Sequence, residues 1–251
     1  MIYLLFILVT LLILMLFLYQ IQYFMVFEPK KYRKEKLDDR YTLLEIKAED
    51  GTLLEGVEFT PPKFTHTIFY IGGKSQDSVG LINKLSQNFE DFRIVTFNYR
   101  GYGNSKGRPS EQNLYGDALH VAKKFQEHYG DFDIVGFSLG SSVAAFVASR
   151  IKVKKLFLLG AFNSVHHLLK SRHFPPFLIR YNFNTALHVR DVEAEVYLVS
   201  SVDDKIVPIK NVYNLKINIK NLAEYQELSG YDHDEILFCQ ESVNLLKRVL
   251  S

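Results

Sequence analysis

The run Gly136-Phe137-Ser138-Leu139-Gly140 places a serine between glycines two residues to either side. It directly follows a β-rich stretch, Asp133–Phe137, and opens into the helix-forming Leu139–Arg150. A serine on so sharp a strand-to-helix turn projects its hydroxyl, and small neighbours let adjoining backbone approach without a Cβ clash. The backbone N–H of Leu139, at the helix start, is the expected donor to a developing oxyanion. This arrangement suits nucleophilic attack on an acyl carbon, which needs a base and a group that orients the base.

Both partners follow in the order serine, acid, histidine. The run Glu195–Ser200 leads into Ser201-Val202-Asp203-Asp204, which puts two carboxylates at the carboxyl end of a strand. A later run leads into Ser229-Gly230-Tyr231-Asp232-His233-Asp234-Glu235, and His233 is the only histidine after His188. On spacing alone Asp203 and Asp204 both qualify. His166, His167 and His173 lack a carboxylate or thiolate partner for a metal, so neither a metal nor an organic cofactor is called for. The glycines Gly101, Gly103 and Gly107 match neither phosphate-binding fingerprint.

The elements that must position these groups read as alternating strands and helices. Strands are expected at 41–46, 53–59, 67–71, 93–98, 133–137, 155–159, 195–200 and 223–228, and helices chiefly at 78–88, 112–128, 139–150 and 235–250. Two early strands followed by β-α alternation predict a mostly parallel, doubly wound α/β sheet of about eight strands with an antiparallel start. Ligands of such sheets bind beyond the carboxyl ends of the strands, where all the candidate residues fall. Residues 160–191 leave room for only a short excursion, so a minimal lid and an open serine are expected. Phe174-Pro175-Pro176-Phe177 within it suits an acyl-groove wall, a membrane contact or simple packing.

Residues 1–27 contain no Asp, Glu, Lys or Arg, and polar relief is limited to Tyr3, Thr10, Tyr19, Gln20, Gln22 and Tyr23. A helix of about 20 such residues matches a hydrocarbon core of roughly 30 Å, and no basic stretch precedes it as in a cleaved signal peptide. The expectation is one transmembrane anchor at 1–27, a basic juxtamembrane linker at 28–40 and a catalytic domain at 41–251. Lys30, Lys31, Arg33, Lys34 and Lys36 follow the span, which predicts a single-pass protein with its domain on the cytoplasmic face. A fragment starting near Lys36 is expected to fold and keep the site.

Over 251 residues, 30 Lys and Arg against 28 Asp and Glu leave a formal charge of +2. No nucleic-acid partner is expected from so small a balance. The single cysteine, Cys239, excludes an internal disulfide.

A further segment, Asn98-Tyr-Arg-Gly-Tyr-Gly-Asn-Ser105 with Lys106-Gly-Arg-Pro-Ser-Glu111, resembles the loop after the fourth strand of α/β-hydrolases. With Gly136–Gly140, Asp204-Lys-Ile-Val-Pro208 and Gly230-Tyr-Asp-His233 it covers roughly 45–250. It is most similar to membrane-associated α/β-hydrolase-domain proteins, which include palmitoyl-protein thioesterases and lysophospholipid or monoacylglycerol lipases. The resemblance implies an α/β-hydrolase fold behind one N-terminal transmembrane helix. It assigns the acid four residues before the proline, hence Asp204, with Ser138 as nucleophile and His233 as base. Relatives commonly carry His-Gly-Asn after the third strand where this chain has Ile71-Gly72-Gly73-Lys74, so Gly73 and the Lys74 N–H are the expected further oxyanion donors. The expected activity is cleavage of ester or thioester bonds, in a lipid or an acylated protein. The competing expectation is a catalytically inactive membrane-tethered binding protein on the same fold.

Overall fold

The computed structural model describes residues 2–32 and 37–251. In chain order the elements are α1 (Ile2–Val26), β1 (Tyr41–Lys47), β2 (Leu53–Phe59), β3 (Thr67–Ile71), α2 (Ile82–Asn88), β4 (Arg93–Phe97), α3 (Glu111–Tyr129), β5 (Asp133–Phe137) and α4 (Leu139–Ala148). They continue with β6 (Lys155–Leu159), α5 (Val165–Ser171), α6 (Thr185–His188), β7 (Glu195–Ser201), α7 (Ile209–Lys216), β8 (Leu222–Leu228) and α8 (Gln240–Leu250).

Among the described residues the strands form one sheet in the order β1-β2-β4-β3-β5-β6-β7-β8. The β1–β2 and β2–β4 pairs are antiparallel, and the pairs from β4–β3 through β7–β8 are parallel. β3, β5 and β6 are buried along nearly their whole length because helices cover both faces, which explains their continuous apolar runs. One apolar layer packs α3, α4, α5, α6 and α7 against one face. The other packs α2 and α8 against the opposite face.

Local chemistry sets several boundaries. Ser110 caps α3 by accepting from the Asn113 N–H at 3.1 Å. α2 begins at Ile82 rather than at 78, because Asp77 holds the preceding turn through the Gly80 N–H at 2.9 Å while also accepting from Asn98 Nδ2 at 2.7 Å. The helix expected over 235–250 is interrupted. His233–Glu235 form a 3₁₀ turn, and Cys239 takes extended backbone before α8 starts at Gln240.

The exposed part of α1 presents apolar side chains to its surroundings, but its last turns belong to the globular body. Gln22, Val26 and Phe27 are buried, Phe27 to 1% exposure against Tyr181 and Phe183. Burying Val26 and Phe27 stabilises the body by about 1.5–3 kcal/mol each. Gln22 Nε2 donates to Leu178 O at 2.7 Å and its Oε1 accepts from Arg180 N at 2.7 Å. Beyond the helix, Glu28 N donates to Lys74 O at 3.1 Å, Tyr32 N to Asp77 Oδ2 at 2.9 Å, and Lys30 O accepts from Gly103 N at 2.9 Å. The expected boundary between anchor, linker and domain therefore falls inside a packed region. Of the basic flank, Arg33, Lys34 and Lys36 lie outside the described residues.

Candidate active site

β5 ends at Phe137 and α4 starts at Leu139, so Ser138 alone turns the chain, with φ 53° and ψ −118°. Such a backbone costs on the order of 1–3 kcal/mol in a non-glycine residue and persists only where its surroundings over-determine it. Here the Ser138 N–H donates to Leu159 O at 2.9 Å and Ser141 Oγ donates to Gly136 O at 2.8 Å. A Cβ at Gly136 would meet Ala144 Cβ at 2.6 Å, and one at Gly140 would collide with the Ile71 carbonyl, so both flanking positions require glycine. Leu139 occupies the first position of α4, where a backbone N–H has no partner within the helix.

The hydroxyl of Ser138 lies 2.7 Å from His233 Nε2. The other ring nitrogen, Nδ1, lies 2.6 Å from Asp204 Oδ2. Asp204 is fixed in turn, since its Oδ1 accepts from the N–H groups of Ile206 at 2.7 Å and Val207 at 2.8 Å. His233 stands at the head of its 3₁₀ turn, where Asp232 and Glu235 cap each other reciprocally. Asp203 faces a different partner, accepting from Gly230 N at 2.6 Å. Thus three side chains from the carboxyl ends of β5, β7 and β8 converge, and Asp203 joins the loop rather than the imidazole.

On the oxyanion side one expected donor is engaged within the chain. Gly73 lies against Ser138, but its N–H donates to Gln76 Oε1 at 2.8 Å, and the same oxygen accepts from Tyr70 OH at 2.6 Å. Lys74 has its side chain tied to backbone. Its ammonium donates to Met25 O at 3.2 Å, near the negative end of the α1 dipole, while its own carbonyl accepts from Tyr102 OH at 2.5 Å.

Above Ser138 lies a cavity of about 400 Å³. Its walls are Met25 and Val26 of α1, Val165, Leu168 and Leu169 of α5 with Arg172 just beyond, and Phe162, Ile206 and Val207. The excursion over 160–191 is short, yet with the end of α1 it covers the site and leaves Ser138 half-buried. Phe174 packs against the core, whereas Phe177 is 78% exposed. The cavity walls from α1, and Gln76, escaped the sequence reading. Gln22 carried a usable signal, as one of only two amides, with Gln20, on the last turns of an otherwise apolar helix.

The strand order, the strained serine turn and the converging ends of β5, β7 and β8 decide the fold. The chain has the α/β-hydrolase fold. The profile of the alpha/beta hydrolase fold matches residues 70–187 of this chain. Among curated relatives, the lysophosphatidylserine lipase ABHD12 of Gallus gallus is 27% identical over 192 residues, covering 63% of this chain and 50% of its own length. The chain thus spans about half the length of that relative. Among solved structures, the Pyrococcus furiosus esterase Pf2001 superposes with a TM-score of 0.68 at 16% identity, covering 88% of this chain and 95% of its own. The acetyl xylan esterase from Paenibacillus sp. R4 gives 0.67 at 13% identity, covering 89% and 87%.

Proposed function

We propose that this protein is a membrane-anchored serine esterase that cleaves acyl bonds of lipid substrates. The observation that carries the reading is the 2.7 Å approach of Ser138 Oγ to His233 Nε2, with Asp204 at the opposite ring nitrogen. Ser138 Oγ attacks the acyl carbon while His233 Nε2 takes its proton. His233 then protonates the departing alcohol or thiol, and water, activated by the same nitrogen, releases the acid and restores the serine. Asp204 holds the imidazole in the tautomer that leaves Nε2 free to accept. The Leu139 N–H donates to the oxyanion, with a second donor from the Gly73–Lys74 peptides once Gln76 releases the Gly73 N–H.

A lipid substrate is supported by the apolar cavity walls and by the lipase named among the relatives. A cavity of this size falls within the range of small-molecule sites, roughly 300–1,000 Å³. Membrane anchoring is supported by α1, long and apolar enough to cross a bilayer. Thioesters and acylated proteins remain within the same chemistry, since the nucleophile sees the same acyl carbon.

The second reading, an inactive binding protein on this fold, draws on the Gly73 N–H being tied to Gln76. A fluorophosphonate probe separates the two. Wild type should label, and Ser138→Ala should lose both labelling and esterase turnover, by something like 10⁴- to 10⁶-fold in kcat. Absence of labelling in folded wild type would establish the binding-protein reading.

A further inference from the structure

Five features on one side of the molecule have no role in the acyl chemistry itself. The first is the placement of Met25 and Val26 in the cavity wall. The second is a stripe along α1. Leu18, Ile21 and Met25 recur at helical spacing, are each half-buried, and run from the exposed apolar portion of the helix to that wall. The third is the buried Gln22 amide, which clamps the strand of chain at Leu178 and Arg180 to the helix. The fourth is a level of tyrosines under cations, with the Arg180 guanidinium 5.3 Å from the Tyr19 ring and that of Arg108 4.3 Å from the Tyr23 ring. Amphipathic rings and cations at one height are what a bilayer surface selects. The fifth is Phe177, next to the clamped Leu178 and 78% exposed.

We propose that the cavity opens onto the bilayer, that the end of α1 is its acyl wall, and that Phe177 sits in the lipid interface beside the mouth. The occupant is the acyl chain of a membrane lipid ester. It leaves the bilayer along the Leu18–Ile21–Met25 stripe and reaches Ser138 without crossing water, while Arg172, Arg180 and Arg108 stand where an anionic head group would lie. Met25 then sets the longest chain accommodated. Hydrocarbon removed from one apolar phase into another costs little, so the path lowers the barrier to extracting a long chain. The span outside the body, Ile2–Leu18, is about 25 Å at 1.5 Å per residue, which places Tyr19 and Tyr23 near one surface of the hydrocarbon. This inference rests on the proposed function and its membrane span.

The chain contains no tryptophan, so single substitutions report position. Full-length Phe177→Trp, Phe17→Trp and Ile217→Trp are placed in phosphatidylcholine vesicles carrying brominated acyl chains. Ile217 caps the end of α7, is exposed and lines no part of the cavity. Bromines near the head groups should quench Phe177→Trp, bromines at mid-chain should quench Phe17→Trp, and neither should quench Ile217→Trp. Met25→Trp, labelled by fluorophosphonate to confirm folding, should lower the ratio of long-chain to short-chain ester turnover at least about tenfold. Quenching of Phe17→Trp without Phe177→Trp overturns the bilayer-facing mouth and leaves the anchor intact. An unquenched Phe17→Trp overturns the membrane span, and the mouth with it. An unchanged chain-length ratio in labelled Met25→Trp overturns the acyl wall.

Discussion

Asp203 and Asp204 are consecutive in sequence yet serve different partners: Asp204 Oδ2 lies 2.6 Å from His233 Nδ1, and Asp203 Oδ2 accepts from the Gly230 N–H at 2.6 Å. One carboxylate meets the imidazole; the other ties down the loop that carries it. Asp204→Asn should therefore lower kcat by about 10⁴ by stabilising the wrong tautomer. Asp203→Asn keeps an acceptor oxygen for Gly230 and should cost under about tenfold. Steady-state kinetics on a soluble ester decide between them, and the opposite ranking would move the orienting role to Asp203.

Gln76 accepts simultaneously from the Gly73 N–H and from Tyr70 OH, a hydroxyl on a residue 1% exposed. Gln76→Leu leaves that hydroxyl buried without a partner and should cost about 1–3 kcal/mol in chemical denaturation. Adding Tyr70→Phe removes the orphaned group, so the double variant should be more stable than the sum of the single losses. Strict additivity would show that the two side chains do not share one bond network.

His188 packs edge-on against Tyr115 and Phe146, with ring centroids at 5.3 and 5.2 Å. Burial, aided by the charge of Arg150, pushes its pKa down to about 4. Unfolded, it titrates near ~6.5. Between these values the unfolded chain binds a proton that the folded chain refuses, so stability is full above about 6.5, falls as pH drops toward 4, and levels off below. Discounted for the ring's solvent-facing edge, the loss is about 1–2 kcal/mol. His188→Phe should flatten this part of the stability profile between pH 7 and 4. A wild-type and variant profile that run parallel would remove His188 as its source.

The packing of Gln22, Val26 and Phe27 bears on truncation. A fragment beginning at Lys36 loses both buried apolar side chains and should be less stable by about 3–6 kcal/mol than one beginning at Tyr19, a large part of a typical domain's margin. Denaturant unfolding of the two fragments tests this. Equal midpoints would show that the buried end of α1 adds nothing to the stability of the body.

Lys30, Lys31, Arg33, Lys34 and Lys36 follow the apolar residues 1–27, which hold no cation. The full chain should resist alkaline extraction, with its globular body on the cytoplasmic side. Protease added to sealed vesicles of known sidedness reads the orientation, and digestion only from the opposite side would reverse it.

The strands were legible because their signal is local: runs such as Thr67–Ile71 and Lys155–Leu159 carry their apolar character within five residues, and their bounds agree with the structure. Ser138 and His233 were legible as candidates for a similar reason, since a strand-turn-helix serine between glycines and a histidine in the last sheet-edge loop are short-range patterns. Choosing Asp204 over Asp203 required the resemblance, because adjacent residues differ in direction rather than spacing. Tertiary structure alone decided the rest. The start of α2 depends on Asp77 reaching Tyr32 and Asn98, and the partner of the Gly73 N–H depends on a side-chain rotamer. The end of α1 becomes a cavity wall through a Gln22 bond to Leu178, 156 residues away. Hydropathy within a window registers that α1 is apolar. It carries no term for what a distant segment packs against, and that packing is what joins α1 to the site.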